Sequence, residues 1–323
     1  MANNEKTYHE ENKAPEISVV IPCFNSELTL PELNERLKKV LDKLEGSYEI
    51  IYVNDASKDR TVFLLKDIAL KDQRIIAIDL MFNVGQFRAV MCGLENSSGN
   101  YVVTMDDDLQ HPPEEIPKLY YELKNNSELD AVIGKYIKRE HSLIRKMGSV
   151  LARKIRGRVF NKPKDFHPTS FRCLNRPLVD AVISHKTMFP AISMLIFRSS
   201  ARVSSIEVFH EQKKLGVSNY NLARLVKIFI NHTFSYTSLP LKYISFLGIS
   251  ISIIGFALAF YYLSRYFLGQ ITLPGWTTVI ILINLYSGLL LLSVGIIGEY
   301  LLKTLKEVNG YPRYHVRNIY RKY

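Results

Sequence analysis

From Ile17 onward, apolar runs rich in β-branched residues alternate with stretches whose apolar positions recur every three or four residues. ISVVIPC (Ile17 to Cys23) predicts a strand and Thr29 to Leu44 a helix; YEIIYV (Tyr48 to Val53) predicts a second strand, followed by a helix from Lys58 to Lys71 that the capping residues Asp55, Ser57 and Asp59 open. RIIAIDL supplies a third strand, Gln86 to Glu95 a helix, YVVTM (Tyr101 to Met105) a fourth strand, and Glu114 to Lys124 a helix started by Pro112 and Pro113. This alternation predicts an α/β domain: a mostly parallel sheet with helices on both faces. In such sheets ligands sit at the carboxyl ends of the strands, which is where Asp55 and the run TMDDDLQHPP (Thr104 to Pro113) fall.

The pattern changes near the far end. Tyr243 to Ser264 and Thr277 to Gly298 are each 22 residues without a charge, long enough as helices to reach roughly 33 Å and to be expected to cross a bilayer. Arg265 to Trp276 joins them, with Leu273-Pro274-Gly275-Trp276 as helix breakers and an interfacial aromatic. Lys303, Lys306, Arg313, Arg317, Arg321 and Lys322 follow the second span, whereas the joining turn holds only Arg265, so the large N-terminal region and both termini are expected on the cytoplasmic side. The resulting organisation is a mobile tail over 1–16, a cytoplasmic domain over 17–235, spans at 243–264 and 277–298, and a basic tail over 299–323. Within the domain, Lys135 to Asp165 carries eleven basic residues against Glu140 and Asp165, with Leu143, Ile144, Met147, Val150, Leu151, Ile155 and Val159 near helical spacing. A basic amphipathic helix at about 141–160 is expected to lie on an anionic bilayer. A second helix, about 219–234 with Leu222, Leu225, Val226 and Phe229 on one side, precedes the first span.

Composition narrows the setting. The formal charge is +11 and hydrophobic residues make up 47% of 323, which excludes a disordered chain and favours anionic partners. Nucleic acid is not among them, because no aromatic-interleaved recognition motif is present. Cys23, Cys92 and Cys173 are odd in number and widely spaced, which argues against a disulfide framework and a zinc site. The N-terminus lacks the apolar segment of a secretory signal. The histidines show no metal-ligand spacing, and His111 reads as a loop residue.

The chemistry concentrates in Asp106, Asp107 and Asp108. Adjacent carboxylates repel and resist burial unless a cation sits with them. Asp106, Asp108 and the side-chain oxygen of Gln110 offer the hard oxygen ligands that Mg²⁺ or Mn²⁺ prefers, leaving positions for diphosphate oxygens. Neither G-x-G-x-x-G after the first strand nor G-x-x-x-x-G-K-[ST] occurs, so neither a dinucleotide-binding nor a P-loop phosphate site is supported.

VVIPCFNSELTLPEL, EIIYVNDASKDRT, NVGQFRAVMCGL and TMDDDLQHPPEEIP, in that order, resemble the family 2 glycosyltransferases of GT-A fold. The two C-terminal spans and GEYLLKTLKEVNGYPRYHV are similar to the polyprenyl-phosphate branch, which includes dolichol-phosphate mannose synthase and bacterial undecaprenyl-phosphate glucosyl- and aminoarabinosyltransferases. The resemblance implies an inverting transfer from a nucleoside diphosphate sugar to a polyprenyl phosphate at the inner membrane, with a divalent cation as cofactor and a tetramer among the oligomers the branch forms. It places Pro22, Asn25, Asp55 and Asp106 at the donor nucleotide, and Asp106, Asp108 and Gln110 on the metal. Arg139, Ser142, Arg145, Lys146 and Lys213 fall on the acceptor phosphate, and Asp108, Arg139 and the position of Ser170 are the catalytic candidates.

Two departures stand out. Relatives carry an aspartate, often proposed as a base, two residues before Arg172, where this chain has Ser170; Asp165 is the nearby substitute. A phosphate monoester with a second pKa near 6 is mostly dianionic at neutral pH and needs no base before it attacks. The other departure is Lys213 in place of arginine, which keeps charge but loses the bidentate fork. The competing readings are a saccharide acceptor, disfavoured by the missing Q-x-x-R-W and a bundle of only two spans, and a membrane scaffold without catalysis, disfavoured by Asp55, Asp106, Asp108 and Gln110.

Overall fold

The computed structural model describes residues 14–136, 169–188, 190–211, 275–310 and 312–322, with scattered positions between 244 and 268. The N-terminal apolar runs become strands whose alternate side chains enter two separate cores. In β1 (Ile17–Cys23), Ile17, Val19, Ile21 and Cys23 join one hydrophobic cluster while Val20 joins another. A strand with both faces covered reads as a continuous apolar run, and every residue of β1 is buried.

On one face pack α1 (Leu30–Leu41), α2 (Thr61–Lys71) and α4 (Ile116–Asn125); on the other pack α3 (Gln86–Glu95), α5 (Arg176–Ser184) and α6 (Ile192–Ser199). Leu30, Leu33, Leu37 and Leu41 form the buried stripe of α1, the three-to-four spacing of an amphipathic helix. A 3₁₀ turn, Pro113–Glu115, precedes α4 where the two prolines were expected to start it.

The remaining strands are β2 (Tyr48–Asn54), β3 (Ile75–Leu80), β4 (Tyr101–Thr104), β5 (Ala131–Tyr136), β6 (Arg172–Asn175), β7 (Val203–Val208) and β8 (Val316–Tyr320). They form one sheet in the order β7-β5-β6-β4-β1-β2-β3-β8. β1 pairs in parallel with both β2 and β4, β2 with β3, and β5 with β7, while β6 and β8 run antiparallel to their neighbours. The parallel α/β half is as the pattern predicts. The antiparallel β6 and the edge strand β8 were not anticipated.

The chain divides into two compact units, Met1–Gly216 with Pro312–Tyr323, and Val217–Tyr311. The expected tails are therefore shorter than 1–16 and 299–323. Pro15 and Glu16 already accept the Asn100 and Tyr101 amides, and 316–320 is a strand of the first unit's sheet rather than a free basic tail.

In the second unit, α7 (Trp276–Val308) is one helix of 33 residues that continues past the expected end of a span at 298. The described residues from 244 to 267 are helical, and a Cβ on Gly255 would lie 2.9 Å from the Tyr286 hydroxyl, so the two helical stretches touch. Among the described residues no helix is long and apolar enough to cross a membrane, so the expected transmembrane hairpin is not established by the fold. The expected amphipathic helix at 141–160 and the helix at 219–234 lie outside the described residues.

Candidate active site

Strand order reverses at β1. The chain moves outward through β2 and β3, then returns to place β4 on β1's other side. Adjacent parallel strands whose connections leave in opposite directions open a crevice at their carboxyl ends. The β1 and β4 ends meet there, and Asp107 joins them: its carboxylate accepts the Phe24 amide at 3.2 Å and the Ser26 hydroxyl.

The three aspartates fan out because the chain leaves extended geometry after Thr104 and turns through Leu109, held at φ 60°. Asp106 accepts Gln86 Nε2 at 2.5 Å through one oxygen and Ser170 Oγ at 2.5 Å through the other. Asp108 folds back on its own turn, accepting the Gln110 amide at 3.2 Å and Gln110 Nε2 at 2.8 Å. Gln110 thus presents nitrogen to Asp108, and serving as an oxygen ligand would require its amide to turn over.

Burial raises the pKa of both Asp106 and Asp107, the latter to about 6, against the lowering effect of their hydrogen bonds. Arg172, 3% exposed, is the cation acting on Asp106; its own pKa drops to about 10 through burial, and it still carries its charge at neutral pH. It donates to the Ser170 carbonyl at 3.3 Å and to Ser193 Oγ at 3.3 Å.

The expected donor residues surround the same crevice. Asp55 is 3% exposed and raised in pKa by burial; its two oxygens accept the Val84 amide at 2.7 Å and the Gly85 amide at 2.9 Å. It does not cap α2, a role taken in part by Asp59, which accepts the Thr61 amide at 3.0 Å. Asn25, at φ 55°, ties the β1 and β2 loops together by accepting the Lys58 amide at 2.9 Å and donating to Ser57 Oγ at 3.0 Å. Pro22 pairs with Val53 just beyond the end of the β4 ladder, where a missing N–H is tolerated in a central strand.

Arg139, Ser142, Arg145, Lys146 and Lys213 lie outside the described residues. His111 lies in the loop after β4, as expected; it is buried there, with its ring stacked on Phe171 at 5.3 Å, and burial lowers its pKa to about 4. The sequence reading passed over Gln86, Ser26 and Arg172. The signal for Gln86 was its place just after Gly85 at the start of a helix; Ser26 and Arg172 carried none.

Among the described residues no three His, Cys, Asp or Glu side chains form a ready cation cage. The donor chemistry nevertheless fits a divalent cation. Asp106, Asp107 and Asp108 offer the hard carboxylate oxygens such an ion prefers, and burial raises the pKa of Asp106 and Asp107.

The model of Glycosyl transferase family 2 matches residues 18–183. The chain belongs to this family. Across 94% of its length it is 30% identical to an uncharacterized glycosyltransferase, YkcC, of Bacillus subtilis, also covering 94% of that protein. It is 31% identical over 97% of its length, and 95% of the relative's, to undecaprenyl-phosphate 4-deoxy-4-formamido-L-arabinose transferase of Proteus mirabilis. The glucosyl-3-phosphoglycerate synthase of Mycobacterium tuberculosis, solved with Mn²⁺, UDP-glucose and phosphoglyceric acid, aligns at a TM-score of 0.46 with 17% identity, over 65% of this chain and 74% of that one. The family 2 chain is thus a glycosyltransferase with a GT-A-like α/β domain, and its sheet's switch point is the candidate active site.

Proposed function

We propose that this glycosyltransferase moves a sugar from a nucleoside diphosphate sugar to a polyprenyl phosphate, inverting the anomeric carbon, at the cytoplasmic face of a membrane that it spans with a hairpin. The observation that carries the reading is the run of three carboxylates, Asp106 to Asp108, at the switch point of the sheet, where burial raises the pKa of Asp106 and Asp107. The names of the curated relatives, aligned along nearly the whole chain, supply the acceptor class.

An oxygen of the acceptor phosphate attacks the anomeric carbon while the bond from that carbon to the donor's β-phosphate oxygen breaks, and the nucleoside diphosphate leaves with the electron pair. No proton has to be removed, because the phosphate is mostly dianionic at neutral pH. Asp106 and Asp108, with Gln110 after its amide turns, would hold Mg²⁺ or Mn²⁺, which when bound neutralises charge on the leaving diphosphate. Ser170 positions rather than deprotonates: its hydroxyl donates to Asp106 and fixes that carboxylate in the crevice. The buried charge of Arg172 favours the ionised form of Asp106. Asn25 and Asp55 shape the donor end by joining the β1, β2 and β3 loops.

Membrane attachment is supported by α7, whose Leu290, Leu291, Val294, Ile297, Leu301 and Leu305 are all exposed. An apolar surface of that length calls for a covering medium. Because β8 returns to the sheet that begins with β1, any crossing by the intervening unit is made an even number of times.

The test is to incubate membranes containing the protein with undecaprenyl phosphate, Mg²⁺ or Mn²⁺, and a panel of nucleotide sugars, then to search the lipid extract by mass spectrometry. One donor should yield a glycolipid. Absence of product with every donor, while nucleoside diphosphate still binds, would favour the scaffold reading.

A further inference from the structure

The segment that follows α7 does more than extend the sheet. β8 pairs with β3 through Ala77–Tyr320, Ile78–Ile319 and Asp79–Asn318, then the register shifts so that Leu80 meets Val316. Pairing continues past the end of β3, where the Met81 amide donates to the His315 carbonyl at 2.9 Å and Arg317 Nη2 donates to the Met81 carbonyl at 3.1 Å. The His315 ring packs on Phe82 at 5.9 Å, and Arg317 Nη1 stands 3.9 Å from buried Asp79. Both polar groups of Met81, the first residue of the loop, are therefore held by the C-terminal segment.

That loop enters the crevice. Asn83 Nδ2 donates to the Asp55 carbonyl at 3.0 Å, Val84 and Gly85 donate to the Asp55 carboxylate, and Gln86 reaches Asp106 at 2.5 Å. Gly85, at φ 86°, is the hinge between loop and α3. The far end of α3 is gripped as well, since Arg313 Nη1 lies 2.6 Å from Glu95, the Tyr314 hydroxyl donates to the same carboxylate, and Arg313 also donates to the His185 carbonyl. One short segment thus holds the element carrying Gln86 at both ends.

We propose that residues 313–317 are a strut for the donor side of the crevice, with Arg317 and His315 as positioning residues that set loop 81–86 so that Asp55 and Asp106 are correctly placed for the nucleoside diphosphate. The proposal rests on reading the crevice as the donor site. It makes the segment leaving the helical unit part of the catalytic unit, although it touches no reacting atom.

The experiment uses the full-length protein in detergent or nanodiscs and compares wild type with Arg317→Ala, Arg317→Lys and a surface control, Arg202→Ala, which removes only the pair with Asp130. Amide exchange of residues 81–88 should quicken in Arg317→Ala and not in the control. Donor KM should rise about 5-fold to 10-fold, the scale of one lost hydrogen bond of ordinary net strength. Acceptor KM should hold, and Arg317→Lys should recover most of the loss. Unchanged exchange at 81–88 overturns the strut. So does faster exchange with donor KM unmoved, or an equal fall in kcat for Arg317→Ala and Arg317→Lys with neither KM moved, which marks a general loss of folded enzyme. Wild-type protein with no turnover on any nucleotide sugar sinks the functional reading instead, and the exchange comparison then decides the strut by itself.

Discussion

Replacing Asp107 by Asn should stabilise the protein in the absence of cation. Burial lifts the Asp107 pKa from 3.8 to about 6. A shift of roughly two units corresponds to about 3 kcal/mol at 1.36 kcal/mol per unit, and solvent screening at a half-buried site reduces this to about 1–2 kcal/mol. Asparagine can keep both contacts through its side-chain oxygen, because Phe24 and Ser26 donate to a single oxygen of Asp107. The sign follows from the raised pKa. Between pH 4 and 6 the folded chain retains a proton that the unfolded chain has released, so the wild-type contribution falls as pH rises through that window and is fully lost above it. The difference between variant and wild type should therefore be near zero at pH 4 and reach its full value by pH 7. His111 acts in the opposite sense, its pKa lowered to about 4, so its contribution grows as pH rises from 4 to 6.5; it is common to both proteins and cancels in the difference. Thermal unfolding followed by circular dichroism at pH 4, 5, 6 and 7.5 should show Asp107→Asn melting about 2–8 °C higher at the top of the range, at 2–4 °C per kcal/mol for a domain of this size. Added Mn²⁺ should narrow the gap by favouring the wild-type carboxylates. A variant less stable than wild type at pH 7.5, or a gap independent of pH, would refute the reasoning.

Ser170→Asp restores the carboxylate found in relatives, but sets it against Asp106, whose oxygen now lies 2.5 Å from the serine hydroxyl; cation-free melting at pH 8 should fall, and millimolar Mn²⁺ should restore more of it than in wild type. Gly93→Ala should destabilise by about 3 kcal/mol as read by urea unfolding, because its Cβ would lie 2.2 Å from Val20 Cγ1 in the central strand. Gly288→Ala, in the interior of α7 with no described residue within 4 Å of its Cβ, should stabilise by up to about 1 kcal/mol, the helix-propensity difference, in the same urea unfolding.

The half of the fold built from parallel strands was legible because those strands are buried on both faces. Ile17–Cys23 and Gln86–Glu95 fall where their apolar patterns place them. β6 was not legible: RCLN is four residues long, opens on a buried arginine, and is held by pairing to β4 and β5 far away in sequence. β8 reads as a basic tail, since VRNIY has only intermediate and exposed positions and owes its form to the β3 edge. In the site, Asp106, Asp108 and Gln110 were expected to offer their oxygens to one cation. The chain leaves the strand after Thr104 and turns through Leu109, and the three carboxylates go to different partners, Gln86 and Ser170, Ser26 and Phe24, and Gln110. Local pattern carried which residues gather at the crevice; their partners depend on contacts between loops that no local pattern encodes.

The central claim is that the acidic turn binds the donor's diphosphate through a divalent cation. Calorimetric titration of wild-type protein and Asp108→Ala with uridine, guanosine and thymidine diphosphates, each with and without Mn²⁺, tests it most directly. One nucleotide should bind wild type only with Mn²⁺ present and should lose that binding in Asp108→Ala while the variant's melting temperature is maintained. Equal affinity with and without the cation, or an unaltered isotherm in the folded variant, would contradict the account.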